Sequence, residues 1–438
     1  MMVRVIRSFR RNNTFWLETK PLEFTDEYYG NKLIVVNSKK TYQTHMGFGG
    51  AFTEAAAVTF WEAPAKVQAE IIAAYFTEAG LNYNLGRTTI HSTDFSERSR
   101  TYIEGNDESL ASFSLKEDDQ AIVPFIKQAL EKVPSLWLLA SPWSPPAFMK
   151  TNQDLYYGGR LKKDYYQLWA QYIVKYIKAM AERGIKISAV SIQNEPAATQ
   201  VWESCLYSAE EEKEFAKVLY QTLIEAELDV KILIWDHNRD ILIERAHTVL
   251  REIPGYIWGV AYHWYVSEDS ENLSLIHELY PNHHLLFTEG CVEYSVFGKE
   301  DHWKNAEFYG RNIIKDSLNY SEGFIEWNLL LNEEGGPNHV GNYCEAPLFF
   351  DRKKQSLIYN PSYYYIGHFS KYIKLGAKRI QISQTADSQV YSTAYKNPDG
   401  SIIVVIQNEG YIKEFTLIVD GNAVNISLPD RSITTCII

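Results

Sequence analysis

The stretch Lys162-Lys-Asp-Tyr-Tyr-Gln-Leu-Trp-Ala-Gln-Tyr-Ile-Val-Lys-Tyr-Ile-Lys-Ala-Met-Ala-Glu-Arg-Gly-Ile-Lys-Ile-Ser-Ala-Val-Ser-Ile-Gln-Asn-Glu-Pro196 contains a complete helix-to-strand step. Leu168, Trp169, Tyr172, Ile173, Tyr176, Ile177 and Met180 recur at i, i+1, i+4, i+5 and i+8, one apolar stripe that predicts a helix over Lys162 to Arg183. Gly184 supplies a C-terminal stop. The run from Ile187 to Gln193 then predicts a strand, and Asn194-Glu195-Pro196 follows at its end.

The same alternation extends outward in both directions, from about residue 46 to 374. Strands are predicted at Met46 to Phe52, Asn82 to His91, Leu136 to Ser141, Ile187 to Gln193, Val230 to Trp235, Trp258 to His263, Leu285 to Thr288 and Gly323 to Leu329. Most are continuous apolar runs, the mark of strands buried on both faces of a parallel sheet. Further helices are expected at about Ala63 to Ala79, Ala209 to Glu227 and Trp303 to Leu318. Eight strand and helix pairs are what a closed (β/α)8 TIM barrel requires, with reactive groups where strands end and loops begin.

The flanks read differently. Val3 to Phe24, Lys32 to Val36 and Arg379 to Ile438 are rich in β-formers, and Asn397-Pro-Asp-Gly400 is a hairpin signal between two apolar runs. Neither flank closes a core alone. Residues 1–40 and 375–438 are therefore expected to join into one discontinuous side β-sandwich, with the α/β barrel over 41–374. A structural role for the sandwich stands beside carbohydrate binding.

The chain has 438 residues, 45% of them hydrophobic, which excludes disorder. A net charge of −12 disfavours nucleic acid and anionic membrane as partners. Aromatics at 14% suit a ligand bound by flat apolar faces, such as a sugar. Cys205, Cys291, Cys344 and Cys436 form no paired spacing, so reduced thiols are expected. The segment from Met1 to Arg10 lacks the apolar core of a secretory signal, which points to the cytoplasm. No apolar run is long enough to span a bilayer.

Glu195 and Glu289 each follow a buried strand, where an unpaired charge costs several kcal/mol, so each must be paired or used. The 94 residues between them correspond to three βα units, placing them on the fourth and seventh strands at one barrel mouth. Two carboxyls across a shared cavity are the requirement of glycoside hydrolysis. The 11 histidines contain no HxH or HExxH, and there is neither a nucleotide loop nor a GxSxG elbow. His283-His284 suits a turn at a strand start.

Six motifs in order carry a resemblance. His45-Met-Gly-Phe-Gly-Gly-Ala-Phe-Thr-Glu54, Ser141-Pro-Trp-Ser-Pro-Pro-Ala-Phe-Met-Lys-Thr-Asn152, Asn194-Glu195-Pro196, His263-Trp-Tyr265, Thr288-Glu289 and Trp327-Asn-Leu-Leu-Leu-Asn-Glu-Glu-Gly-Gly-Pro-Asn338 together resemble glycoside hydrolase family 30, the family of glucosylceramidases. The resemblance implies a retaining β-glycosidase of the glucosylceramidase type, with a link to sphingolipid metabolism. Glu289 matches the nucleophile, Glu195 the acid/base, and Asn194 the residue bonded to the sugar 2-hydroxyl. Tyr265 and Arg87 match residues that orient the nucleophile and keep it ionised. Asp94, Trp143, Trp327 and Asn342 match the lining of the glycone pocket.

His263 reads equally as a partner of a site carboxylate or a core histidine, Cys291 as a packing residue, and Glu333 to Pro337 as a loop bordering the cleft. The mechanism implies carboxyls about 5 to 5.5 Å apart, a raised Glu195 pKa and an ionised Glu289. No metal and no organic cofactor is expected. The substrate expected is a small β-glycoside or imported oligosaccharide, a β-glucoside first, with β-xylosidase and β-1,6-glucanase activity as alternatives within the family. From another class, a noncatalytic carbohydrate-binding barrel remains.

Overall fold

Strand β1 (Met2–Phe9), β2 (Thr14–Glu23) and β3 (Leu33–Thr44) precede a ring of eight parallel strands in the computed structural model, which describes residues 2–26, 32–299 and 301–438. The ring consists of β4 (Gly47–Phe52), β5 (Leu85–Ile90), β6 (Trp137–Pro142), β7 (Ala189–Ser191), β8 (Lys231–Asn238), β9 (Gly259–His263), β10 (His284–Glu289) and β11 (Gly323–Glu326). It closes where β11 pairs with β4, Gly323 beside Gly47 through Glu326 beside Gly50.

The eight strands are those the sequence predicts, with shifted ends. β7 is shorter than its apolar run, β8 runs on past Trp235 to Asn238, and β11 stops at Glu326 before Trp327 and Asn328. The opening helix spans Tyr166–Glu182, and Gly184 ends it in the left-handed region at φ +77°, where a glycine avoids the Cβ clash.

An apolar layer lies inside the barrel. Leu85, Leu139, Ala189, Leu233, Ala261, Leu286 and Ile325, one from each of seven successive strands, meet inside it. β4 contributes Gly49 at this level, paired with Leu85 and Ile325; a Cβ there would lie 2.1 Å from the Leu85 carbonyl oxygen.

Three short strands, β12 (Leu331–Asn332), β13 (Leu348–Asp351) and β14 (Ser356–Tyr359), form a small sheet after the ring. The remaining strands are β15 (Lys378–Gln384), β16 (Val390–Lys396), β17 (Ile402–Asn408), β18 (Lys413–Val419), β19 (Asn422–Leu428) and β20 (Ser432–Ile437). They join β1 to β3 in one nine-stranded sheet, ordered β19-β18-β3-β15-β16-β17-β20-β1-β2. Both flanks therefore contribute to one layer around Val5, Ile34, Val404, Leu417 and Ile426. The sheet doubles over on this core, and Thr25 N–H donates to the Ala423 carbonyl across its two ends. Asn397 to Gly400 turns β16 into β17, as its composition predicts. The layer docks on the barrel through buried His368, whose ring nitrogens meet Ser8 Oγ and Thr435 Oγ, each at 2.8 Å.

Candidate active site

Asp236, 0% exposed, is the pivot of the barrel mouth. Its Oδ2 accepts from Arg87 Nη2 at 2.8 Å, Ser141 Oγ at 2.9 Å and Ser191 Oγ at 2.5 Å; Oδ1 accepts from Thr288 Oγ at 2.6 Å and faces His263 Nε2 at 3.0 Å. The backbone explains its inward aim. Trp235 (φ +73°) and Asp236 (φ +49°) both adopt left-handed conformations at a bulge in the β8 to β9 pairing, and such a bulge redirects a side chain.

Arg87, from β5, is fully buried and ties four strands together. Besides Asp236, its Nη1 donates to Glu289 Oε2, its Nη2 to Asn194 Oδ1 at 2.9 Å and its Nε to Ser141 Oγ at 3.1 Å. The guanidinium also lies over Trp143 and Trp327, at 4.9 and 5.7 Å from their ring centroids. The two indoles stack on each other at 5.3 Å and are nearly buried. Donation from Arg87 fixes Asn194 by its carbonyl oxygen, leaving the amide to donate elsewhere.

Glu195 and Glu289 meet across this framework. One carboxylate oxygen of each and one ring nitrogen of His263 all lie within 4.8 Å of one another. Tyr265 OH donates to Glu289 Oε1 at 2.9 Å, and His263 Nδ1 faces Glu195 Oε1 at 3.3 Å. Glu195 has φ +49°, a strained conformation for a non-glycine residue at the exit of β7. His237 Nε2 is 3.8 Å from the same Glu195 oxygen.

Asp94 lines the same cavity as the tryptophans. Its Oδ2 accepts from Asn338 Nδ2 at 3.2 Å and Asn342 Nδ2 at 3.4 Å. Burial, then the charge of Glu289, pushes its carboxyl well above the usual range. The structure thus brings every sequence-derived candidate, Arg87, Asp94, Trp143, Asn194, Glu195, His263, Tyr265, Glu289, Trp327 and Asn342, to one barrel mouth. Most of them line a cavity of about 420 Å³, with Arg87 and His263 behind it. The cleft-border expectation needs correction: of the loop after β12, Asn342 reaches the cavity wall, while the Glu333 to Pro337 stretch lies away from it. Glu333 is turned aside by its pairing with Arg352.

Burial alone would lower the His263 pKa, but Glu289, Asp236 and Glu195 outweigh it and raise it to about 9. Two cations, Arg87 and His263, then face three carboxyls, Asp236, Glu195 and Glu289, so the carboxyls outnumber the cations by one. Burial raises Glu195, yet His237, His263 and Arg87 together bring it below the ordinary range. Burial also raises Glu289, and the Glu195 charge helps to hold it there against His263 and Arg87. The lowering of Glu195 runs opposite to the raised value expected for it. The cause lies in the two imidazoles beside Glu195, where apolar or negative surroundings were expected; of the two only His263 has a raised pKa, while burial lowers that of His237.

The Glu195, His263 and Glu289 trio has the spacing of a metal site. Its chemistry does not fit one: an imidazole ligand must be neutral, whereas His263 holds its proton to about pH 9 and turns both nitrogens to carboxylates. Cys291 lines the cavity with its thiol pushed well up by burial, so it offers little thiolate.

A raised histidine pKa stabilises the fold while the group is protonated. Its contribution is complete below about pH 6.5 and is lost as pH rises through about 9. The unfolding midpoint is expected to fall across that window in the native chain and to flatten in His263→Asn, as followed by thermal denaturation at several pH values.

The glycosyl hydrolase family 30 TIM-barrel domain matches residues 45–373. The chain belongs to glycosyl hydrolase family 30. It is an O-glycosyl hydrolase with a carbohydrate substrate, and the family 30 beta sandwich domain matches residues 376–436. Lysosomal acid glucosylceramidase of Mus musculus is 35% identical over 86% of this chain and 77% of its own. The crystal structure of SrfJ from Salmonella typhimurium superposes with a TM-score of 0.96 at 35% identity, covering 100% and 99% of the two chains. An endo-beta1,6-glucanase structure gives a TM-score of 0.88 at 27% identity, covering 99% of both. Among the described residues, no helix of this family 30 chain is long and apolar enough to cross a membrane.

Sequence reasoning missed Asp236 and His237. The signal was the one used for the glutamates, polar residues directly after an apolar run, here Asp236-His-Asn238 after Trp235.

Proposed function

We propose that this family 30 chain is a retaining β-glycosidase acting first on β-glucosides, with Glu289 as nucleophile and Glu195 as acid/base. The observation that carries the reading is the approach of their carboxylate oxygens to within 4.8 Å. Retention works with carboxyls about 5 to 5.5 Å apart, whereas inversion needs about 6.5 to 9.5 Å to admit a water between carboxylate and sugar.

Glu289 attacks the anomeric carbon while the glycosidic carbon–oxygen bond breaks and Glu195 gives its proton to the departing oxygen. The resulting ester has no charge on Glu289, so Glu195 stays ionised, takes a proton from water, and the hydroxide oxygen displaces the ester. Glu289 returns as the carboxylate. The reactive ionisation places a proton on Glu195 and leaves Glu289 charged. A glycosidic oxygen accepting from Glu195 favours it, and Arg87 and Tyr265, both donating to Glu289, hold the other carboxyl ionised.

Asn194, held by Arg87, directs its amide to the 2-hydroxyl; Asp94 and Asn342 accept and donate to outer hydroxyls beside the Trp143 and Trp327 faces. The four cysteines are free and buried, in keeping with the reducing cytoplasm as its compartment.

The test is an aryl β-glucoside with a good leaving group, given to Glu195→Ala. Its leaving group needs no proton, so the first step survives and the ester accumulates. Azide is expected to restore turnover and yield the β-glucosyl azide. An α-azide, or an initial free sugar of inverted configuration by NMR, would overturn retention.

A further inference from the structure

The cavity lining divides by depth. Asp94, Trp143 and Trp327 are nearly buried, so the attacked sugar occupies their end. The open end carries Trp202 on the loop after Glu195 and Glu293 on the loop after Glu289; both line the same cavity and are only partly buried. A departing group must lie on the side of the residue that protonates it, which is the Trp202 side.

Glu293 is the unexplained feature. Its carboxyl has no hydrogen bond or ion pair among the described residues, although it is more than half removed from water. Burial, then the charges of Glu195 and Glu289, pushes its pKa up, so nothing nearby offsets the cost of keeping it there. The Trp202 indole packs against the Trp143 and Trp327 cluster with one side in the cavity and its N–H likewise unused. An alkyl chain laid across this end would strip water from Glu293 and give it no donor. A hydroxylated ring supplies both an apolar face for the indole and a hydroxyl for the carboxyl. Val266, 65% exposed on the rim, suits either occupant and does not discriminate.

We infer that Trp202 and Glu293 form a leaving-group subsite that selects a second sugar over an alkyl or acyl chain, with Glu293 as the specificity-determining residue. This rests on the glycosidase reading above and names the leaving group, which that reading leaves open. The acidic group accepts from a hydroxyl of the departing sugar, and the indole covers one face of its ring.

The experiment compares kcat/KM for β-linked glucose disaccharides with that for octyl β-glucoside in the native chain, Glu293→Ala, Glu293→Gln and Trp202→Ala. A hydrogen bond to a charged group is worth about tenfold or more, so Glu293→Ala is expected to lower the disaccharide-to-octyl ratio by about that factor, mainly through KM. Gln keeps an acceptor oxygen and is expected to recover most of the ratio. Trp202→Ala is expected to lower it as well. An unchanged ratio in Glu293→Ala, or native cleavage of octyl β-glucoside with no cleavage of any disaccharide, would overturn the inference. Aryl β-glucoside and aryl β-xyloside are run alongside: if the xyloside alone is cleaved, the glucose reading fails, and the same ratio is measured with xylobiose and octyl β-xyloside.

Discussion

Glu289→Gln is expected to reduce turnover of an aryl β-glucoside by about 10⁴-fold or more, the scale on which enzymes lose activity without their nucleophile. The amide keeps the shape and can still meet Arg87 and Tyr265, so the loss reads chemistry instead of folding. The variant also removes one of the three carboxyls around His263, whose raised pKa should then fall. Steady-state rates and an NMR titration of His263 check the two effects separately. Turnover within tenfold of the native chain would remove Glu289 from the role.

The second large effect is on stability. Asp236→Ala leaves Arg87 and His263 buried with one fewer counter-charge and removes the acceptor of Ser141, Ser191 and Thr288. Breaking one side of a buried ion pair costs about 3 to 5 kcal/mol, which chemical denaturation would read as a lower midpoint. Asp236→Asn keeps one acceptor oxygen and the volume, so a smaller stability loss is expected. Activity should still fall with Asn, because the charge that helps to hold His263 protonated is gone. A substitution to Ala with an unchanged midpoint would show that the hub is not a structural anchor.

The barrel was legible because buried parallel strands leave continuous apolar runs, and Glu195 and Glu289 because charges directly after such runs have few uses. Asp236 satisfies the same criterion, but the run Val230 to Trp235 looked complete, and the bulge that carries the strand on to Asn238 is set by pairing with β9. The lowering of the Glu195 pKa was not legible at all. It depends on His237 and His263, on β8 and β9, converging on a glutamate from β7, and such convergence is a property of the closed ring. The place of Glu293 was equally hidden, since nothing in the sequence says which loop residues stay without partners.

The seam between β1 and β20 has a consequence for biosynthesis. Arg4 on β1 lies opposite Ile437 on β20, so β1, already paired with β2, meets its second neighbour only after the whole ring has been synthesised. Until then the β1 and β2 hairpin has an unmatched edge, the kind of surface on which nascent chains stick together. Capture of the early hairpin by β20 therefore cannot precede synthesis of the ring.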